Sequence, residues 1–192
     1  MKRTGTNIFL SALCSSALIL SLVPAAAIAA DDLPLNMRAN AGAQTRGRTS
    51  MMQISVSEWT SSEERQMLIE FVQEEGSRNL DTKLQSLGVK GRINRTGQMG
   101  VNWRYAYQFP KDGGRTIVLA TDRPVNVSEA SFQGVVGKSY NITLAIIELD
   151  EEGKGAGTLM IGAELMFGAD GKLEVNHAGQ NAVHLGGVQV LD

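Results

Sequence analysis

The residues from Val101 to Phe109 constrain this chain more than any others. Val101, Trp103, Tyr105, Tyr107 and Phe109 alternate with Asn102, Arg104, Ala106 and Gln108, a period of two that suits a strand and excludes a helix. Asp112-Gly113 then supplies a hairpin turn, and Arg115 to Thr121 the returning strand. Further strands are predicted at Tyr140 to Leu149, Thr158 to Phe167, Leu173 to His177 and Ala182 to Leu191. Their connections carry Gly153 and Gly155, Asp170-Gly171 and Gly179, all turn formers. Short strands joined by short turns favour an antiparallel meander.

Upstream the period changes. Met52 to Ser57 alternates like a half-buried strand. Ser61 with Glu64 makes a capping-box pattern, after which Met67, Leu68, Phe71 and Val72 share one helical face before Gly76 ends it. Leu80, Leu84 and Leu87 predict a second short helix ending at Gly88. The expected fold class is α+β: a twisted, meander-like antiparallel sheet of about seven or eight strands with two short N-terminal helices packed on it.

The N-terminus reads as an address. Lys2 and Arg3 precede an apolar run from Ile8 to Val23, Pro24 breaks it, and Ala27-Ile28-Ala29 offers a small-residue cleavage site. Residues 1–29 are expected to be a secretory signal peptide. The run is too short for a spanning helix, so no stable membrane insertion is expected once it is removed. The localisation expected is periplasmic or secreted. Residues 30–50 are read as a flexible leader, rich in small and polar residues, and 51–192 as one α+β domain.

Cleavage would remove Cys14, the one cysteine, and with it any disulfide or thiolate chemistry. It would leave 16 basic residues against 20 acidic ones, a net charge of −4. That balance carries no footprint for nucleic acid and no polybasic anchor for anionic lipid.

One polar cluster emerges from the hairpin. A two-residue Asp112-Gly113 loop puts Arg104 opposite Thr121 and Asn102 opposite Arg123, with all four side chains on one face. Two planar guanidinium groups beside Asn102 and Thr121 suit a small anionic ligand. The competing reading is structural: Arg104 and Arg123 pair with acids such as Glu148 or Glu164 on neighbouring strands. Trp103, Tyr105, Tyr107 and Phe109 on the other face are expected to be core between sheet and helices.

Other motifs fail on their chemistry. His177 and His184 lack the third ligand that zinc needs. The run Asp150-Glu151-Glu152-Gly153-Lys154-Gly155 has neither the alternating acids of a calcium loop nor the spacing of a phosphate loop, and reads as a hairpin turn. No cofactor or metal is expected. Asp122, placed across from Trp103, is the one carboxylate whose pKa an apolar neighbour would raise; a turn-capping role before Arg123-Pro124 competes with it.

The runs Trp59-Thr60-Ser61-Ser62-Glu63-Glu64-Arg65, Arg104-Tyr105-Ala106 and Ile117-Val118-Leu119-Ala120-Thr121-Asp122-Arg123-Pro124 resemble a group of uncharacterised secreted or periplasmic bacterial proteins of unknown function. Gly153-Lys154-Gly155-x-Gly157 looks like a later motif of the same group. The resemblance implies a bacterial periplasmic or secreted protein and brings no activity or site residues with it.

The function expected from these readings is a non-enzymatic module that binds a small ligand or an envelope protein, with Asn102, Arg104, Thr121 and Arg123 as contacts. The alternatives are a periplasmic enzyme using Asp122 as acid or base, and a structural envelope module whose exposed sheet edge pairs with a partner.

Overall fold

The computed structural model describes residues 33–42, 49–96, 99–125, 142–167, 173–177 and 182–191. The expected signal peptide, at residues 1–29, and the expected turns at Asp170-Gly171 and Gly179 lie outside them. The strands are β1 (Leu35–Gly42), β2 (Thr49–Val56), β3 (Gly91–Arg95), β4 (Val101–Lys111), β5 (Gly114–Thr121), β6 (Ile142–Asp150), β7 (Lys154–Phe167), β8 (Leu173–His177) and β9 (Ala182–Leu191). Helices α1 (Ser62–Glu75) and α2 (Leu80–Gln85) stand between β2 and β3.

Consecutive strands β1 to β7 pair antiparallel as a meander, and β9 then inserts between β7 and β1. The sheet therefore closes into an eight-stranded barrel rather than staying open. Most of the antiparallel strands and the two helices were legible in the sequence; β1, β3 and the closure were not. Ala163 pairs with Ile142 of β6 and also with His177 of β8, so β8 lies on the side of β7 that β9 occupies. In effect β8 and β9 are two lengths of one stave.

β1 corrects the expectation of a leader at 30–50. Leu35, Met37, Ala39 and Ala41 are buried and Asn36, Arg38 and Asn40 exposed, a full half-buried alternation. Two of the inward residues are alanines, whose short side chains carry little hydrophobic signal. Barrel closure depends on this strand, because it is what β9 pairs with.

Three bulges bend the wall. β9 carries one extra residue, Gly187, against both neighbours, which shifts the β1 and β7 ladders together. β7 carries Gly162 as an extra residue against β6. Both glycines have left-handed φ (Gly187 at +56°, Gly162 at +66°), where a side chain would be strained. The third bulge is Arg104 in β4, discussed below.

The barrel interior is filled by side chains, among them Met37, Met52, Ile54, Ile93, Trp103, Ile117, Leu119, Ile147, Leu159 and Ile161. Barrels of this strand number either do this or keep a ligand inside; this one is packed. Outside, the wall has two characters. β1 to β3 point Asn36, Arg38, Asn40, Gln53 and Arg92 into solvent, unlike the apolar belt of a barrel that faces lipid. β4 to β7 present Tyr105, Phe109, Val118, Ala120, Ile142, Leu144 and Met160, which the helices cover.

The helices form as the sequence dictates. Ser61 accepts from the Glu64 N–H while the Glu64 carboxylate accepts from the Ser61 N–H, completing the capping box, and Gly76 ends the helix at φ +66°. Leu68 and Val72 of α1 and Leu80 and Leu84 of α2 are the buried positions.

Candidate functional site

The four polar residues expected to converge do not. The hairpin register is as expected from Lys111 up to Tyr105, which faces Ala120, but Arg104 is an extra residue and Trp103, not Arg104, faces Thr121. A bulge flips the parity of everything beyond it. Trp103 accordingly turns into the barrel, while Tyr105 and Phe109 face the helices. The row of four aromatics read as one face is split between two cores.

Each polar residue has its own surroundings. Thr121 is buried, and its hydroxyl accepts from the Thr143 N–H at 3.1 Å and donates to the Arg123 carbonyl. Arg104 donates from Nε to Asp122 Oδ2 at 3.1 Å, an ion pair with an acid on the adjoining turn rather than with Glu148 or Glu164. Asn102 faces Arg92 on β3 and is half-buried. Arg123 is exposed. Asp122 does not lie across from Trp103; Arg104 engages it instead. His184 is exposed, and no group of metal-ligating side chains assembles among the described residues.

A different site appears on the outer wall. A cavity of ≈ 90 Å³ lies between α1 and α2 on one side and the outward residues of β4 to β8 on the other. Val118, Ala120, Leu144 and Leu165 form its floor, Leu68 and Leu84 its roof. Ala120, whose side chain is a single methyl group, is the smallest of the residues that line it.

Helix α1 is pinned at both ends of this span. At its start, Lys90 is buried with its ammonium paired to Glu58 and, at 3.0 Å, to Glu64 Oε2. Burial alone would push the Lys90 pKa down, but hydrogen bonds and charge from the two carboxylates outweigh it and hold it above the ordinary lysine value. Past the helix end, the Ser77 hydroxyl both donates to the Leu165 carbonyl and accepts from the Leu165 N–H. A helix fixed at two ends and left unfilled between them encloses space instead of collapsing onto the wall.

Among the described residues, Arg65 is the one charged member of the cavity lining. Its guanidinium carbon lies 5.1 Å from the Tyr107 ring centre and 5.8 Å from that of Phe109, cation–π contacts on the strand below. Its Nε is buried and has no hydrogen-bond partner among the described residues. The guanidinium also reaches the Tyr105 hydroxyl; burial pushes that phenol's pKa up, and the Arg65 charge only partly opposes the rise.

Sequence reasoning passed over Arg65, although a signal was present. Residues 65, 68, 69 and 72 fall at i, i+3, i+4 and i+7, so this arginine stands on the apolar stripe of the helix and not on its solvated face.

No family model, no curated protein and no solved structure matches this chain.

Proposed function

We propose that this chain is an exported, non-enzymatic binding module that takes a small ligand in the cavity between its helix pair and the outer wall of its barrel. The observation that carries the reading is a helix pinned at both ends over an apolar space whose single charged lining residue, Arg65, has a buried N–H without a partner among the described residues. A mainly apolar lining with a placed polar group is the composition of a small-molecule site, and at ≈ 90 Å³ the cavity is smaller than the usual ~300–1,000 Å³, so an occupant must widen it. The packed interior leaves the outer wall as the place for a ligand. Pairing of β6 with β7, and of β9 with β1, occupies edges that an open sheet would offer to a partner strand, which weighs against edge pairing as the main role. Export rests on the sequence pattern of residues 1–29.

The test is native mass spectrometry of mature protein released gently from the periplasm. A reproducible adduct that Ala120→Phe removes and Arg104→Ala/Arg123→Ala retains is the expected result. An adduct lost only with Arg104 and Arg123 would return the site to the far end of the hairpin. Recovery of uncleaved protein from the cytoplasm would end the export reading.

A further inference from the structure

Resting on that cavity being the ligand site, we infer that it selects free single-chain amphiphiles bearing one carboxylate, with the head group at Arg65 and the chain along Val118, Ala120 and Leu144. The lining divides the ligand for us. Among the described residues, thirteen of the fourteen that line it are apolar or aromatic, so most of an occupant must be hydrocarbon. Arg65 then asks for something hydrocarbon does not have. No acid among the described residues is ion-paired with it, unlike Lys90, Arg104 and Lys111, each of which has its own carboxylate.

Two aromatic rings and the Tyr105 hydroxyl compensate a half-buried guanidinium only in part, since its Nε–H has no partner among the described residues, and a carboxylate meets a planar fork with two parallel hydrogen bonds. The Tyr105 hydroxyl, on the same wall, adds a neutral donor beside it. A phosphate monoester suits the site less well, since it would bring nearly two negative charges to one cation. A quaternary ammonium head would face Arg65 with like charge. An alcohol would fill the hydrocarbon space and leave the guanidinium unpaired.

A macromolecular occupant fits worse. The space is a partly open cavity under a helix held at Lys90 and Ser77, so a monomeric chain can enter where a bilayer surface cannot.

The test uses the mature protein and displacement of a neutral fluorescent probe, N-phenyl-1-naphthylamine, by decanoate, decanol and decyltrimethylammonium, all below their micelle concentrations. Wild type should bind decanoate roughly tenfold or more tightly than decanol, as a charge-assisted pair replaces none, and should bind the ammonium least. Arg65→Gln should bring decanoate down to decanol while leaving decanol unchanged. Arg65→Lys, which keeps the charge without the fork, should fall between and guards against a folding defect in the glutamine variant, with circular dichroism as the check. Ala120→Phe should weaken both ligands together. Equal binding of decanoate and decanol by wild type would overturn the carboxylate inference and leave the cavity reading standing. Binding of either that Ala120→Phe does not touch would overturn both. Binding to phosphatidylglycerol vesicles with none to monomeric decanoate would assign the face to membrane instead and likewise overturn the inference.

Discussion

Thr60 holds both backbone groups of Ala106: its N–H donates to the Ala106 carbonyl at 2.7 Å, and its hydroxyl accepts from the Ala106 N–H at 2.9 Å. Ala106 lies just past the Arg104 bulge, where β4 has run beyond β3, which pairs only with Val101 to Trp103. The linker before α1 thus stands in for the missing strand. Thr60→Val keeps the shape and one hydrogen bond but leaves a buried N–H unpaired, so it should cost about 1–3 kcal/mol. Urea unfolding of the two proteins gives the value; an unchanged midpoint would mean water replaces the hydroxyl.

The Lys90 pairing predicts alkaline lability. Its folded pKa is raised above 10.5, so its stabilisation is complete below that value and disappears as pH climbs through the folded pKa. Tyr105 acts in the same direction from 10.0 upward, because the unfolded phenol ionises there before the buried one. Wild type should therefore lose stability above pH 10 more steeply than Lys90→Met or Tyr105→Phe. At neutral pH, Lys90→Met should lie near wild type, since an apolar replacement suits the pocket. Removing both acids by Glu58→Gln/Glu64→Gln strands the buried ammonium and should cost about 1–3 kcal/mol, reduced by the solvent access of Glu58. Parallel melts from pH 8 to 11 separate these expectations.

Gly155 marks where two strands approach too closely for a side chain. A Cβ there would sit 1.8 Å from the Glu148 carbonyl oxygen, and β6 cannot retreat while β5 holds its other side. Gly155→Ala should cost about 3 kcal/mol or more and show as a collapse in folded yield. Gly113→Ala makes the control: nothing lies within 4 Å of its Cβ, and only its left-handed turn conformation is penalised, by about 1–2 kcal/mol. Similar losses at both positions would refute steric closure as the reason for the glycine at 155.

The Arg104 bulge can be tested by removing the residue altogether. Arg104→Ala keeps the extra residue and loses a partly buried ion pair with Asp122, at a cost of about 1 kcal/mol. Deleting Arg104 restores unbroken alternation with Trp103 still opposite Thr121 and still inside the barrel, so it removes only the local bend and the Asp122 pair, at a cost of about 0.5–3 kcal/mol. Near-ultraviolet circular dichroism should be native for both variants, since Trp103 keeps its place in the barrel core; a flat spectrum on deletion alone would mean that the bend itself holds Trp103 inside.

What the sequence allowed depended on which signals are local. Both helices, the capping box, the Asp112-Gly113 turn and strands β8 and β9 follow from residues adjacent in the chain, and the sequence reading located them. Closure depends on the pairing of Met37 with Val190, set by burial across the whole molecule, and no local pattern announces it. The site failed for a narrower reason. One bulged residue, Arg104, reversed the parity on which the cluster of Asn102, Arg104, Thr121 and Arg123 relied. Nothing in Trp103-Arg104-Tyr105 distinguishes a bulge from regular strand.

The Ser77 staple joins residues 88 positions apart in the chain. Roof and floor of the cavity therefore come from segments that meet only when the barrel has closed. An unfolded or half-formed chain has nothing there to offer an occupant, so any molecule that settles in the cavity stabilises the closed form by an amount set by its concentration relative to its Kd. Resistance to proteases would then rise and fall with the occupant's concentration, and the lifetime of the protein would itself be a measure of what surrounds it.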